Sequence, residues 1–282
     1  MDKYIKTNGI QLHYLDFEGE KPTIVLLHGL SANAHAFDGL ITAGLSPAHR
    51  VLSVDLRGRG LSDHPKQGYS MLEHAEDISG LLDALGLDQV ILGGHSFGAL
   101  VTIFMANHFP DRIRKVILMD AAARLHDNVR EMVAPSMARL LETFPSFESY
   151  IEKIKAAPYL HGEWYPEMDA YYRADVEDLE GGGVRPRSKL SNIQQAIEGA
   201  LAGGVEWLEL IKKVPQPALL LQANEAYHLG APILPRAYAL ETVDMLPKGQ
   251  FVQVGGNHLT MLFGDGAKDI VKAIFEFVKN TQ

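Results

Sequence analysis

The chain has 282 residues, with 35 acidic and 26 basic side chains, a formal charge of -9 and no cysteine. Disulfides, cysteine metal sites and a thiol nucleophile are thereby excluded, and an acidic chain with no basic stripe argues against nucleic acid or an anionic membrane as partner. The length accommodates one large α/β domain with an inserted lid, or two small domains.

In chain order, residues 3–7 and 10–17 read as strands joined at Asn8-Gly9, the strongest short hairpin signal. The first residues, Met1-Asp2-Lys3-Tyr4-Ile5-Lys6, lack an apolar signal core and no run reaches transmembrane length, so the expected location is cytoplasmic. Compact apolar runs follow at 23–28, 51–55, 89–93 and 115–119, separated by helical patterns such as 71–85. Such alternation predicts a doubly wound, mostly parallel sheet.

The most informative stretch is Gly94-His95-Ser96-Phe97-Gly98. Before it, residues 89–93 form an uncharged apolar run, as a buried parallel strand requires. After it, residues 97–109 are apolar almost all round a helical circumference until Pro110. A G-x-S-x-G sequence at a strand-to-helix corner forces the serine into a strained turn with its hydroxyl exposed, and the glycines are needed where backbones crowd. Ser96 is therefore the candidate nucleophile, with the helix N-terminus favouring negative charge beside it.

Between 119 and 215 the strand pattern stops for far longer than an ordinary connection. Helices are drawn over 128–142, 147–155, 163–176, 190–201 and 205–213, so 121–213 is expected to be a helical cap inserted into a core of 1–120 and 214–282. A cap leaving a strand's carboxyl end would cover the ligand crevice of the sheet. Its aromatics, Trp164, Trp207, Tyr159, Tyr165, Tyr171 and Tyr172, read mostly as the core of a small helical unit, with a minority facing substrate. Gly181-Gly182-Gly183 reads as a flexible crossing between cap helices. Strands resume at 218–222 and 251–254, and 267–279 is a closing amphipathic helix.

A serine hydroxyl needs a base. Of 12 histidines, His258 in Gly255-Gly256-Asn257-His258 follows the last strand and would return to the edge that carries Ser96. His28 and His95 are poorly placed for that role and read as structural.

The chain resembles the α/β-hydrolase-fold superfamily, in particular its capped, esterase-like serine hydrolases, over nearly its full length. The matching pieces are Gly94 to Gly98, His28-Gly29-Leu30-Ser31 and the segment from Asp55 to Asp63, together with the order serine first, histidine last. The resemblance implies an eight-stranded sheet and an oxyanion hole made by the amides of Leu30 and Phe97. It also implies a triad acid after the seventh strand, but Ala226 stands at that position. Two replacements are visible: Asp120, at the end of the sixth strand, and Glu225, one residue early. Asp120 is preferred because a rigid strand would hold it near the crevice. Its alternative role is the N-cap of the following segment, and a third reading has no acid at all.

The expected activity is hydrolysis of small carboxylic esters or lactones through an acyl-enzyme, with no metal or organic cofactor and a small ester-type molecule as partner; a homodimer is left open. The same constellation serves carbon-carbon bond hydrolysis, thioesterase, amidase and perhydrolase chemistry. Dehalogenase and epoxide hydrolase are disfavoured because they need an aspartate in place of Ser96. A noncatalytic small-molecule receptor is the alternative from another class, motivated by Ala226.

Overall fold

The computed structural model of the protein describes residues 2–201 and 206–279. Strands β1 (Asp2–Thr7) and β2 (Ile10–Phe17) pair antiparallel across the Asn8-Gly9 turn, where both residues have positive φ, 46° and 76°. Two positive φ values are what the tightest hairpin turn requires, hence Asn-Gly. β3 (Ile24–Leu27) leads through the short helices α1 (Asp38–Thr42) and α2 (Leu45–Ala48) to β4 (Val51–Val54). Helix α3 (Met71–Ala84) starts on a capping box, in which Ser70 and Glu73 satisfy each other's free amides. β5 (Val90–His95), α4 (Phe97–His108) and β6 (Ile113–Met119) follow.

The segment after β6 contains α5 (Val129–Ala138), α6 (Phe147–Lys155), α7 (Glu167–Asp175), the strands β7 (Val176–Asp178) and β8 (Val184–Pro186), α8 (Leu190–Leu201) and α9 (Trp207–Lys212). The chain then returns through β9 (Ala218–Ala223), α10 (Arg236–Met245), β10 (Gly249–Val254) and α11 (Gly264–Lys279). Eight strands form one sheet in the order β1-β2-β4-β3-β5-β6-β9-β10, parallel from β4 to β10 and antiparallel at β1 and β2. This is an α/β-hydrolase fold.

Alternation along the strands sorts the core into two layers. Val25 and Leu27 join Leu92, Leu118 and Leu220 with α3 and α4, while Ile24 and Leu26 join Ile91, Ile117 and Leu219 with α1 and α11. Burial on both faces explains why these strands read as unbroken apolar runs.

Several expectations change in the inserted segment. It is not wholly helical: β7 and β8 pair antiparallel, and Gly181, Gly182 and Gly183, with φ of 91°, 98° and 88°, form their connecting turn instead of a crossing between helices. Strands of three residues are too short for a period of two to register. The helix expected over 163–176 begins only at Glu167, because Pro166 disfavours helix in the residue before it. The helix expected over 205–213 is seen as Trp207–Lys212; Val205 lies outside the described residues, as does Met1 of the N-terminal stretch. Helix α10 was not anticipated, since its pattern is only weakly amphipathic, with Ala239 and Thr242 its buried positions.

The packing around Ser96 leaves no room for a methyl group. A Cβ on Gly98 would lie 2.0 Å from the Leu27 carbonyl oxygen, and one on Gly94 would lie 2.1 Å from the backbone of Gly98. Gly98→Ala should therefore destabilise the protein by more than about 3 kcal/mol or prevent folding, as overpacking against immobile backbone exceeds ordinary core strain. Urea denaturation followed by circular dichroism checks this, and a variant within about 1 kcal/mol of the parent would contradict it.

Candidate active site

Three strand ends deliver the site. Ser96 follows β5 with φ 54° and ψ -117°, an uncommon conformation for a residue with a side chain, and it immediately precedes α4. Its amide bonds to the Met119 carbonyl at 2.9 Å, so β5 and β6 remain paired to their last residues. Asp120 ends β6 in the same way, its amide bonding to the Leu221 carbonyl at 2.8 Å. Asp120 has φ 49° and is fully buried.

His258 arrives from the loop after β10. Its Nε2 lies 3.0 Å from Ser96 Oγ, and its Nδ1 lies 2.6 Å from Asp120 Oδ2. The second carboxylate oxygen, Oδ1, accepts the Ala223 amide at 3.0 Å, which fixes the carboxyl plane. With Nδ1–H donating to the carboxylate, Nε2 is left as the acceptor for the serine hydroxyl. Ser96, His258 and Asp120 are thus brought into one hydrogen-bonded line.

Glu225 is elsewhere. It is exposed, its amide bonds to the Gly256 carbonyl at 3.0 Å, and its Oε1 accepts the Gly256 amide at 3.2 Å. It therefore braces the loop two residues before His258 and makes no contact with the imidazole. Nor does Asp120 cap a helix, since α5 starts nine residues later behind Asn128.

The histidine loop is anchored on both sides. Asn257, which is buried, donates to the Tyr159 carbonyl at 2.8 Å and accepts the amides of Leu259 and Thr260. His95 Nε2–H donates to the His258 carbonyl at 2.7 Å, and the two rings lie 4.6 Å apart. The Tyr227 ring meets His258 edge-on at 5.7 Å. Asn257 was visible in sequence only as a neighbour of His258; its anchoring role depends on a carbonyl roughly a hundred residues away.

Leu30 and Phe97 both line the cavity next to Ser96, and among the described residues neither amide has an acceptor. Phe97 opens α4, where amides are free by construction. His28 shapes the turn before Leu30: Nδ1–H donates to the Gly29 carbonyl at 2.7 Å, and Nε2 accepts the Leu56 amide at 3.0 Å. Burial pushes His28 down to about 4, so it stays neutral.

The cavity holds about 410 Å³. Much of its wall is aliphatic, from Leu100, Leu125, Val129, Val133, Ile197 and Leu201. Of the aromatics in the inserted segment, Tyr159, Tyr171 and Tyr172 reach the cavity, whereas Trp164, Tyr165 and Trp207 do not. Arg139 also lines it, but its charge is matched: Nε and Nη2 grip Asp175 at 3.0 and 2.9 Å, and Tyr150 donates to the same carboxylate at 2.5 Å. Nη2 additionally donates to the Ser31 carbonyl at 2.8 Å, tying the inserted segment to the loop that carries Leu30. Arg139 and Asp175 gave no sequence signal, being 36 residues apart in a region without a motif. Among the described residues no cluster of histidine and carboxylate side chains could hold a metal, and no helix is long and apolar enough to cross a membrane.

The acid behaviour of the fold follows from its buried imidazoles. In the unfolded chain His28 takes up its proton near 6.5, and in the folded chain only near about 4. Between these values the unfolded state binds more protons, so stability falls as pH falls; His74 and His95, both held well below 6.5 by burial, act in the same direction. Each contributes up to about 1.4 kcal/mol per pH unit. Urea midpoints should therefore drop between about pH 7 and about pH 5, and a flat profile over that window would contradict neutral burial.

A family model described as alpha/beta hydrolase fold matches residues 22–149. The chain is 28% identical over 228 residues to the 2-(acetamidomethylene)succinate hydrolase of Mesorhizobium japonicum, a match covering 79% of this chain and 78% of that protein. A crystal structure of E-2-(acetamidomethylene)succinate hydrolase superposes with a TM-score of 0.83 at 24% identity, covering 99% of each chain. The meta-cleavage product hydrolase of Pseudomonas fluorescens IP01 gives 0.76 at 24% identity, over 99% of this chain and 98% of that one.

Proposed function

We propose, for a chain that belongs to the α/β-hydrolase-fold superfamily, that it is a serine hydrolase acting on small, uncharged carboxylic esters or lactones. The observation that carries this reading is the line from Ser96 Oγ to His258 Nε2 at 3.0 Å and from Nδ1 to Asp120 at 2.6 Å, opening into a largely apolar cavity. In this reading Ser96 Oγ attacks the acyl carbon while His258 Nε2 takes its proton. Asp120 holds the imidazole in the required tautomer and stabilises its cation. The amides of Leu30 and Phe97 donate to the oxyanion. Protonated His258 then gives its proton to the departing oxygen, leaving an acyl-serine. Water, deprotonated by the same imidazole, releases the acid and restores Ser96. The helical segment between β6 and β9 acts as the cap that excludes bulk water.

The cavity supports a neutral substrate. A dicarboxylate such as a succinate calls for cations, yet Arg139 is neutralised by Asp175, and Arg130 is exposed at the cavity's margin. A volume of about 410 Å³ suits a small molecule. A second reading, cleavage of an N-acyl or carbon-carbon bond on the same residues, is favoured by the name of the Mesorhizobium relative. Against the noncatalytic alternative, which Ala226 motivated, the bond from His258 Nδ1 to Asp120 at 2.6 Å supports the catalytic reading.

A panel of p-nitrophenyl esters, lactones, an acetamidomethylene succinate and a dienoic diketone discriminates these readings. Neutral short esters or lactones should turn over fastest, and exclusive turnover of the succinate or the diketone would replace the first reading by the second. Ser96→Ala should abolish turnover. Asp120→Asn should lower kcat by about 10⁴, whereas Glu225→Gln should stay within about threefold of the parent. Collapse of the Glu225 variant with a near-normal Asp120 variant would overturn the assignment of the acid.

A further inference from the structure

A second arginine holds the oxyanion loop, and unlike Arg139 it has no counter-ion among the described residues. Arg59, in the loop after β4, is fully buried. Its Nε donates to the Leu30 carbonyl at 2.9 Å, and its Nη1 donates to the Arg57 carbonyl at 2.7 Å and to His74 Nε2 at 3.1 Å. Nη2 is buried without a partner among the described residues. The guanidinium also stands over the Phe97 ring, 5.3 Å from its centroid, and 5.9 Å from that of Tyr69.

The charge is not cancelled. The titratable groups that face Arg59 are Arg57, Tyr69, His74, His28 and His64. None of them is an anion near neutral pH. Arg57 is itself a cation matched by Asp77 at 2.7 and 2.6 Å, and burial raises Tyr69 to about 12. His74 donates through Nδ1 to the Ser70 carbonyl, leaving Nε2 as a lone-pair acceptor for Arg59. Desolvation brings Arg59 down to about 10, still charged at neutral pH. Among the described residues no carboxylate lies within ion-pair distance of it. An unpaired buried cation is costly, and a fold that needed only a spacer here would be served by an apolar side chain.

Two of the residues that Arg59 touches, Leu30 through its carbonyl and Phe97 through its ring, are those whose amides the proposed mechanism assigns to the oxyanion. We propose that Arg59 is a positioning residue for the oxyanion hole: Nε–H fixes Leu30 from behind, and its uncompensated charge favours the negative oxygen formed on the attacked carbonyl. This inference rests on Ser96 being the acyl nucleophile. A fixed charge behind a dry wall costs no reorganisation during reaction, which is the condition under which electrostatic stabilisation is strongest. Arg139 provides the internal contrast, since it grips the next carbonyl, that of Ser31, but Asp175 cancels its field.

The test compares an anionic with a neutral ligand. A boronic acid that adds to Ser96 gives a tetrahedral anion, whereas a short-chain alcohol inhibitor carries no charge. Arg59→Met should lower kcat by roughly tenfold to a hundredfold with KM within about twofold, and should weaken the boronic acid by a similar factor. Alcohol inhibition should be unchanged, and Arg59→Lys should recover most of both losses. Unchanged kcat and boronate affinity in Arg59→Met would overturn the proposal, as would equal weakening of boronate and alcohol, which denotes a deformed loop. If Arg59→Met does not fold, Arg59→Lys decides: boronate affinity near the parent supports the charge, and a hundredfold loss with intact alcohol binding overturns it. Ser96→Ala in parallel separates the two readings. Turnover surviving in that variant removes the nucleophile and this proposal together, whereas Ser96-dependent turnover that Arg59→Met leaves intact removes this proposal alone.

Discussion

Two backbone hydrogen bonds, Ser96 N to Met119 O and Asp120 N to Leu221 O, carry the parallel sheet up to the residues where chemistry is assigned. Parallel strands end on one side, so the crossovers of this fold collect side chains from distant sequence at a single edge. Because β5, β6 and β9 are direct neighbours, the hydroxyl and the carboxylate are fixed by the sheet itself. Only His258 depends on a loop, and that loop is anchored through Asn257, Glu225 and His95.

The polar interior is arranged around this edge in matched and unmatched pieces. Arg57 with Asp77 and Arg139 with Asp175 are buried pairs in which each carboxylate takes two guanidinium bonds. Breaking such a pair from one side leaves a stranded charge, so each acts as a rivet. Arg139 joins the inserted segment to Ser31, and Asn257 joins it to the histidine loop. The inserted helices are therefore fastened to both flanks of Ser96, and the cavity between them has a defined shape without any covalent link. Arg59 stands apart as a buried cation whose acceptors among the described residues are all neutral.

This division also bears on what the cavity can hold. Aliphatic side chains from α4, α5 and α8 make up much of its wall; of the two arginines that line it, Arg139 is committed to Asp175 and Arg130 is exposed. On the proposed reading, recognition would rest on shape, which suits neutral acyl compounds. The relative that is 28% identical over 228 residues is named for a succinate.

The sheet and its crossovers were legible in the sequence because fully buried parallel strands are short apolar runs and amphipathic helices repeat near 3.6 residues. Gly94 to Gly98 was legible for a different reason: the corner tolerates no Cβ, so the crowding is written as glycine. The position of His258 could be inferred from chain order alone. For the acid, the sequence favoured Asp120 over Glu225 only on the rigidity of a strand end, and it is the pairing of β6 with β5 and β9 that aims one at the imidazole and leaves the other in solvent. The ribbon of β7 and β8 was lost because three residues cannot express a period. Arg59, Arg139, Asp175 and Asn257 take their roles from partners 29 to 108 residues away, and such partnerships leave no local pattern. Local sequence determined which elements form and where a strained serine must sit; tertiary structure decided which charges meet, because electrostatic partnership depends on distance in space and not along the chain.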